Sequence, residues 1–171
     1  MPTELDADYR KDLIVARKEV IMALKGGHAH ATFEDVVANF PLNLQGESAG
    51  LPYSAWQLLE HIRIAQHDIV RFTNNQNGTY ETLTFPDDYW PKTPAPPNAH
   101  AWEKSVAWVV SDRETMIRAV GNPRHSLAEP FAWGDGQNLL REAMLIVDHT
   151  SYHVGELLTL RRLLGIWPAH K

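Results

Sequence analysis

Four long stretches of this chain repeat apolar residues at three- and four-residue spacing, and none alternates with the period of a strand. The first runs from about Ala7 to Lys25, carries Leu13, Ile14, Ala16, Val20, Ile21 and Leu24, and stops at Gly26-Gly27. A shorter helix is predicted over Thr32 to Asn39, before Pro41. The second long stretch opens at Ser54, where Ser54 and Gln57 match a capping box, and continues through Leu58, Ile62, Ala65, Ile69 and Phe72. The third covers about Ala99 to Val120, with Trp102, Val106, Val109, Val110 and Ile117 inward, and Asn122-Pro123 breaks it. The fourth is predicted to open near Asp135 and to continue to Leu164, with Gly165 and Pro168 as stop signals. These stretches predict an all-α fold, an antiparallel four-helix bundle filling residues 1–171 as a single domain.

Between the second and third helices, residues 79–99 hold Pro86, Pro91, Pro94, Pro96 and Pro97 together with Tyr80, Phe85, Tyr89 and Trp90. So many prolines exclude a helix there. A connection of this length is either a crossover packed down by its aromatics or a wall of a substrate pocket.

Composition removes several function classes. There is no cysteine, so disulfides, thiolate metal sites and a cysteine nucleophile are excluded. A net charge of −5 without a run of Lys or Arg argues against nucleic acid as a partner. No apolar run reaches the length of a membrane span, and Met1 to Asp6 lacks the pattern of a secretory signal. The expected compartment is the cytoplasm.

Of nine histidines, three fall on the margins of predicted apolar faces. On the fourth helix, Leu139, Ala143, Ile146, Val147, Thr150, Val154, Leu157 and Leu164 form one stripe. His153 lies about 60° and His149 about 100° from its centre, one turn apart on the same margin. His61 lies about 80° from the centre of the second helix's apolar face. His67 projects almost oppositely and is expected in solvent, as are His28, His30, His100, His125 and His170 in loops or at the terminus. Two readings remain from the residues alone: His61, His149 and His153 share one ion, or they are three separate packed imidazoles. Glu60, Asp148 and Glu156 are candidate partners for the second ring nitrogens, Asp148 the weakest because it points away from the stripe. Tyr152 is expected to project outward, and Trp56, Trp90 and Trp133 to be anchors.

The segments Trp56-Gln57-Leu58-Leu59-Glu60-His61-Ile62 and Asp148-His149-Thr150-Ser151-Tyr152-His153-Val154-Gly155-Glu156-Leu157 resemble the paired motifs of the DinB-like superfamily of metal-binding four-helix bundles. Together with the capped start at Ser54 and the Leu164-Gly165 ending, the likeness spans essentially the whole chain. It implies an up-down-down-up bundle and frequent homodimers. In such a bundle His61, His149 and His153 bind a divalent metal ion, zinc or nickel. It further implies a metal-dependent transferase that uses a low-molecular-weight thiol on an electrophilic small molecule. A non-catalytic metal or small-molecule binding module, a metal-dependent hydrolase and a metal-free interaction protein are the alternatives. One branch of the superfamily carries His-x-x-x-His-x-Glu beside a second domain; here Gly155 stands where that glutamate would be, which disfavours oxidative iron chemistry.

Overall fold

The structure, a computed structural model, describes residues 4–168. It is all-α, with five helices and no strand among the described residues. Helix α1 spans Glu4–Lys25 and α2 spans Phe33–Val37; α3 spans Ala55–Thr73, α4 Ala101–Gly121 and α5 Leu139–Leu163. A 3-10 turn at Leu42–Leu44 lies between α2 and α3.

The helix ends follow local chemistry. After α1, Gly26 and Gly27 take φ of +73° and +84°, a left-handed turn that other residues resist. The Ser54 hydroxyl accepts from the Gln57 N–H and the Gln57 side chain accepts from the Ser54 N–H, the capping box expected from the sequence. Thr32 and Asp35 form a second capping box, so Thr32 caps the short helix from outside it. Each cap contributes about 1 kcal/mol. Helix α5 opens later than predicted. Its cap is Asn138, whose side chain accepts from the Arg141 N–H at 2.9 Å. Asp135 instead lies in an irregular turn closed by Phe131 N–H to the Gln137 carbonyl at 2.8 Å and by a bridge between Pro130 and Asn138.

Helix α3 packs on α4 and α5, α1 packs on the same two, and α2 lies on α5. One buried cluster joins Leu58, Leu59 and Ile62 of α3 to Trp102 and Val109 of α4 and to Leu157 and Leu160 of α5. A second joins Val20 and Leu24 of α1 to Ile69 of α3, Met116 and Val120 of α4, and Leu139, Ala143 and Ile146 of α5. Ile14, placed by periodicity on the inner face of α1, is exposed.

One buried charge ties distant parts together. Arg161, 1% exposed, donates to the carbonyls of Val36 and Ala38 at 3.0 Å and of Ile166 at 3.2 Å. Its guanidinium lies beside the rings of Phe40 and Trp167. Two of the carbonyls it holds, those of Val36 and Ala38, stand where α2 ends and its last carbonyls lack helical partners. No helix among the described residues is long and apolar enough to cross a membrane.

Candidate metal centre

The three histidines meet. His61 (5% exposed) comes from α3, while the half-buried His149 and His153 (7% exposed) come from successive turns of α5. The Nε2 atoms of His61 and His149 are 3.0 Å apart. Ring centroids are separated by 4.8 Å for His61 and His149, 4.6 Å for His61 and His153, and 4.5 Å for His149 and His153. One nitrogen from each ring lies within 4.8 Å of the other two. With metal–nitrogen bonds of about 2.0–2.1 Å, two ligands at ordinary coordination angles stand about 3.0–3.4 Å apart. The His61–His149 pair is already at that separation, and ring movement on the order of 1 Å closes the third. The donor set therefore fits one divalent cation.

What orients the rings is as informative as their proximity. The Tyr89 carbonyl is 2.9 Å from His61 Nδ1. A carbonyl can only accept, so Nδ1 carries the hydrogen and the Nε2 lone pair faces the cluster. In the metal-free protein His149 Nε2–H is then the donor across the 3.0 Å contact. The Trp90 indole stacks on the His61 ring at 3.8 Å with planes 5° apart, and Tyr53 stacks on the other face of Trp90 at 3.8 Å. Tyr89 is itself held down: its hydroxyl donates to Asp68 Oδ2 at 2.6 Å. Asp68 stands seven residues after His61, two turns along the same face of α3. Burial and the Asp68 carboxylate push the Tyr80 phenol up to about 12 and the Tyr89 phenol higher still, so both stay protonated.

His153 Nδ1 lies 2.6 Å from Glu156 Oε2. Burial lowers the pKa of all three histidines, and together with the neighbouring imidazoles it brings His149 and His153 to about 4. At neutral pH the His153–Glu156 contact is therefore a neutral N–H donating to a carboxylate rather than an ion pair. Neutral imidazoles are the form that ligates a metal. Burial raises the Glu156 pKa, and its side chain is partly open to solvent.

Glu156 is thus the expected partner of a ligand histidine. Glu60 is not: its carboxylate is taken by Arg63 and by the Ser105 hydroxyl. Asp148 is exposed, and the hydrogen bonds of the three rings run to other partners. His67 departs from its expected solvation, since it is half-buried with Nδ1 3.0 Å from Asp112 Oδ2 and its ring beside Trp108. Trp108 and Asp112 of α4 reach this flank of α3, which is why a polar position there found a partner. His28, His30, His100 and His125 are exposed, and His170 lies outside the described residues. Tyr152 is exposed as expected, yet its ring edge meets His153 at 4.9 Å. Sequence reasoning missed the roles of Tyr53, Asp68 and the Tyr89 carbonyl; the aromatic-rich crossover was the available signal. The crossover is packed down by its aromatics, as the first reading of it expects, and Trp90 stacks on the ring of His61. Beside the cluster, a recess of about 220 Å³ is lined by Leu51, Tyr53, Tyr152, Glu156 and Thr159. A cavity of about 520 Å³ lies on the other flank of α5 and contains none of the three histidines in its wall.

No family model, no curated protein and no solved structure matches the chain.

Proposed function

We propose that this chain is an up-down-down-up four-helix bundle of the DinB-like kind. It would hold one divalent cation, zinc or nickel, on His61, His149 and His153, and use it to transfer a small thiol to an electrophile. The topology is supported by the shared clusters: the N-terminal halves of α3 and α4 meet the C-terminal half of α5, and their C-terminal halves meet its N-terminal half. The observation that carries the metal reading is the 3.0 Å approach of two Nε2 atoms from different helices, one fixed in its tautomer by the Tyr89 carbonyl.

Three imidazoles leave coordination positions free, and a cation bound this way supplies Lewis acidity that lowers the pKa of a small thiol or water beside it. The protein's own groups do the rest. Glu156 takes the His153 Nδ1 hydrogen bond and so directs Nε2 toward the cluster. Trp90 and Tyr53 cover one side of His61 and exclude water from it. The recess lined by Tyr53, Tyr152 and Glu156 is where a substrate of modest size would sit.

Metal titration of the purified chain, stripped with chelator, tests the binding. Zinc or nickel is expected to bind one per chain, with His61→Ala and His153→Ala each weakening it at least about 100-fold, since each leaves only two imidazoles. Sub-stoichiometric binding, or ions retained equally by both variants, would remove the reading. Faster conjugation of a small thiol to a model electrophile by the loaded protein tests the transferase part. No gain over buffer containing the same metal leaves a binding module instead.

A further inference from the structure

The cavity of about 520 Å³ is separate from the histidines and has chemistry of its own. It enters beneath the 26–32 segment, between the end of α1 and α5, and runs inward until α3 and α4 form its wall. Leu24, Phe33, Val109, Ile146 and Val154, all buried, give its inner part a hydrocarbon surface. A Cβ placed on Gly26 or Gly155 would meet nothing within 4 Å, so both glycines leave its rim open. Its volume lies in the range of small-molecule sites, roughly 300–1,000 Å³. Apolar space holds water poorly and hydrocarbon well; a cavity of about 150 Å³ lined by such residues already binds benzene.

The polar residues of the wall divide by depth. Inside, Gln66 donates Nε2–H to the Val109 carbonyl at 2.6 Å, and its oxygen has no accessible surface to offer. Arg113 is paired with Glu34, so its charge is already matched. An occupant therefore meets hydrocarbon at depth. At the mouth stand the exposed Lys25, His28, His30 and Ser151. No aspartate or glutamate lines the cavity among the described residues, although acids outnumber bases in the chain, 21 to 16. Lys25 enters no ion pair among the described residues, so the mouth carries an unmatched positive charge.

We propose that this cavity is a second binding site, for a free aliphatic carboxylate of medium chain length, with its tail inward and its head at Lys25. Burying the tail removes hydrocarbon from water. The head stays at the mouth, where Lys25 meets its charge and water still reaches it, so no ion is buried. A cationic amphiphile would face Lys25 instead and be repelled. The site stands apart from the metal reading: its walls use Ile146, Thr150 and Val154 on one flank of α5, and the metal ligands lie on the other.

Calorimetric titration of the full chain with octanoate, hexanoate and 1-octanol tests it, after chelator treatment to remove any cation a carboxylate would bind. Octanoate is expected to saturate at one per chain and to bind about tenfold tighter than hexanoate, because two more methylenes leave water. It should bind at least about threefold tighter than 1-octanol, which has the same tail and no charge. Lys25→Gln should abolish that preference. Ala23→Phe, which fills the cavity from α1, should weaken octanoate at least about tenfold while zinc titration is unchanged. His153→Ala should bind octanoate as the wild type does. If octanol binds as tightly as octanoate, if octanoate does not saturate, or if Lys25→Gln keeps the preference, the proposal is overturned. Loss of octanoate binding in His153→Ala, or its survival in a folded Ala23→Phe, would overturn it equally. Should Ala23→Phe fail to fold, the wild-type series with the surface change Lys25→Gln still decides it.

Discussion

At the scale of single residues, the histidines that meet are those whose helical angle placed them on the edge of a buried face. That position is legible in sequence because an α-helix maps residue number onto direction. A backbone carbonyl in an irregular segment has no such map. The Tyr89 oxygen that sets the His61 tautomer therefore left no trace in the residue pattern, although its effect on His61 is as specific as that of any side chain. The same burial has a measurable consequence. In the metal-free protein His149 and His153 ionise near pH 4 when folded, against an ordinary value of 6.5. Between those values the unfolded chain binds protons that the folded chain refuses. Their contribution is thus fully present above pH 6.5 and is lost as the pH falls toward 4. Urea melts of chelator-treated protein should show lower stability at pH 5 than at pH 7, with the difference reduced in a His149→Phe, His153→Phe double variant. An unchanged difference in that variant would assign the effect to other groups.

Among the elements, the crossover between α3 and α4 does most to define the site, and it was the part least determined by periodicity. Its prolines exclude a helix but do not say which surface it lies on; that depends on contacts between side chains far apart in sequence. Asp68 is one such contact. It accepts the Tyr89 hydroxyl and also faces the Tyr80 phenol, which seats the segment so that the Tyr89 carbonyl and the Trp90 ring reach His61. Asp68→Leu should weaken zinc binding about 10-fold or more, in line with the loss of groups that orient metal ligands. Asp68→Asn, which still offers an oxygen, should retain most of the affinity. Nitrogen-15 spectra of the metal-free protein should show His61 protonated on Nδ1 in wild type and mixed in the leucine variant. Unaltered affinity and tautomer in Asp68→Leu would show that the crossover seats itself by other means. The late start of α5 has a similar origin, since the bridge between Pro130 and Asn138 and the Leu140 N–H bond to the Leu127 carbonyl are tertiary and override the aspartate signal at Asp135.

For the whole molecule, all-helical architecture followed from the length and period of the apolar stretches, while the neighbours of each helix followed from packing alone. Periodicity counts a residue as inward whether it meets its own chain or another. Ile14 and Val15 on α1 and Leu140 and Met144 on α5 are exposed on helices that pack together. Exposed apolar residues of this kind are what a homodimer, which the family resemblance implies, would cover. Sedimentation is expected to give a dimer at micromolar concentration, shifted to monomer by Ile14→Glu with Met144→Lys, with helical content retained. A wild-type chain that sediments as a monomer across that range would set the dimer aside.

The guanidinium of Arg161 also bears on the order in which the chain assembles. Five residues of α2 are too few to persist as a helix in water, and the carbonyls at its end are bonded by a side chain 123–125 positions later. During synthesis, residues 33–38 therefore gain the last of their partners only when nearly all of α5 has been made, although the Val37 carbonyl already accepts from the Trp102 indole of α4. The first part of the molecule to be translated beyond α1 is thus among the last to settle.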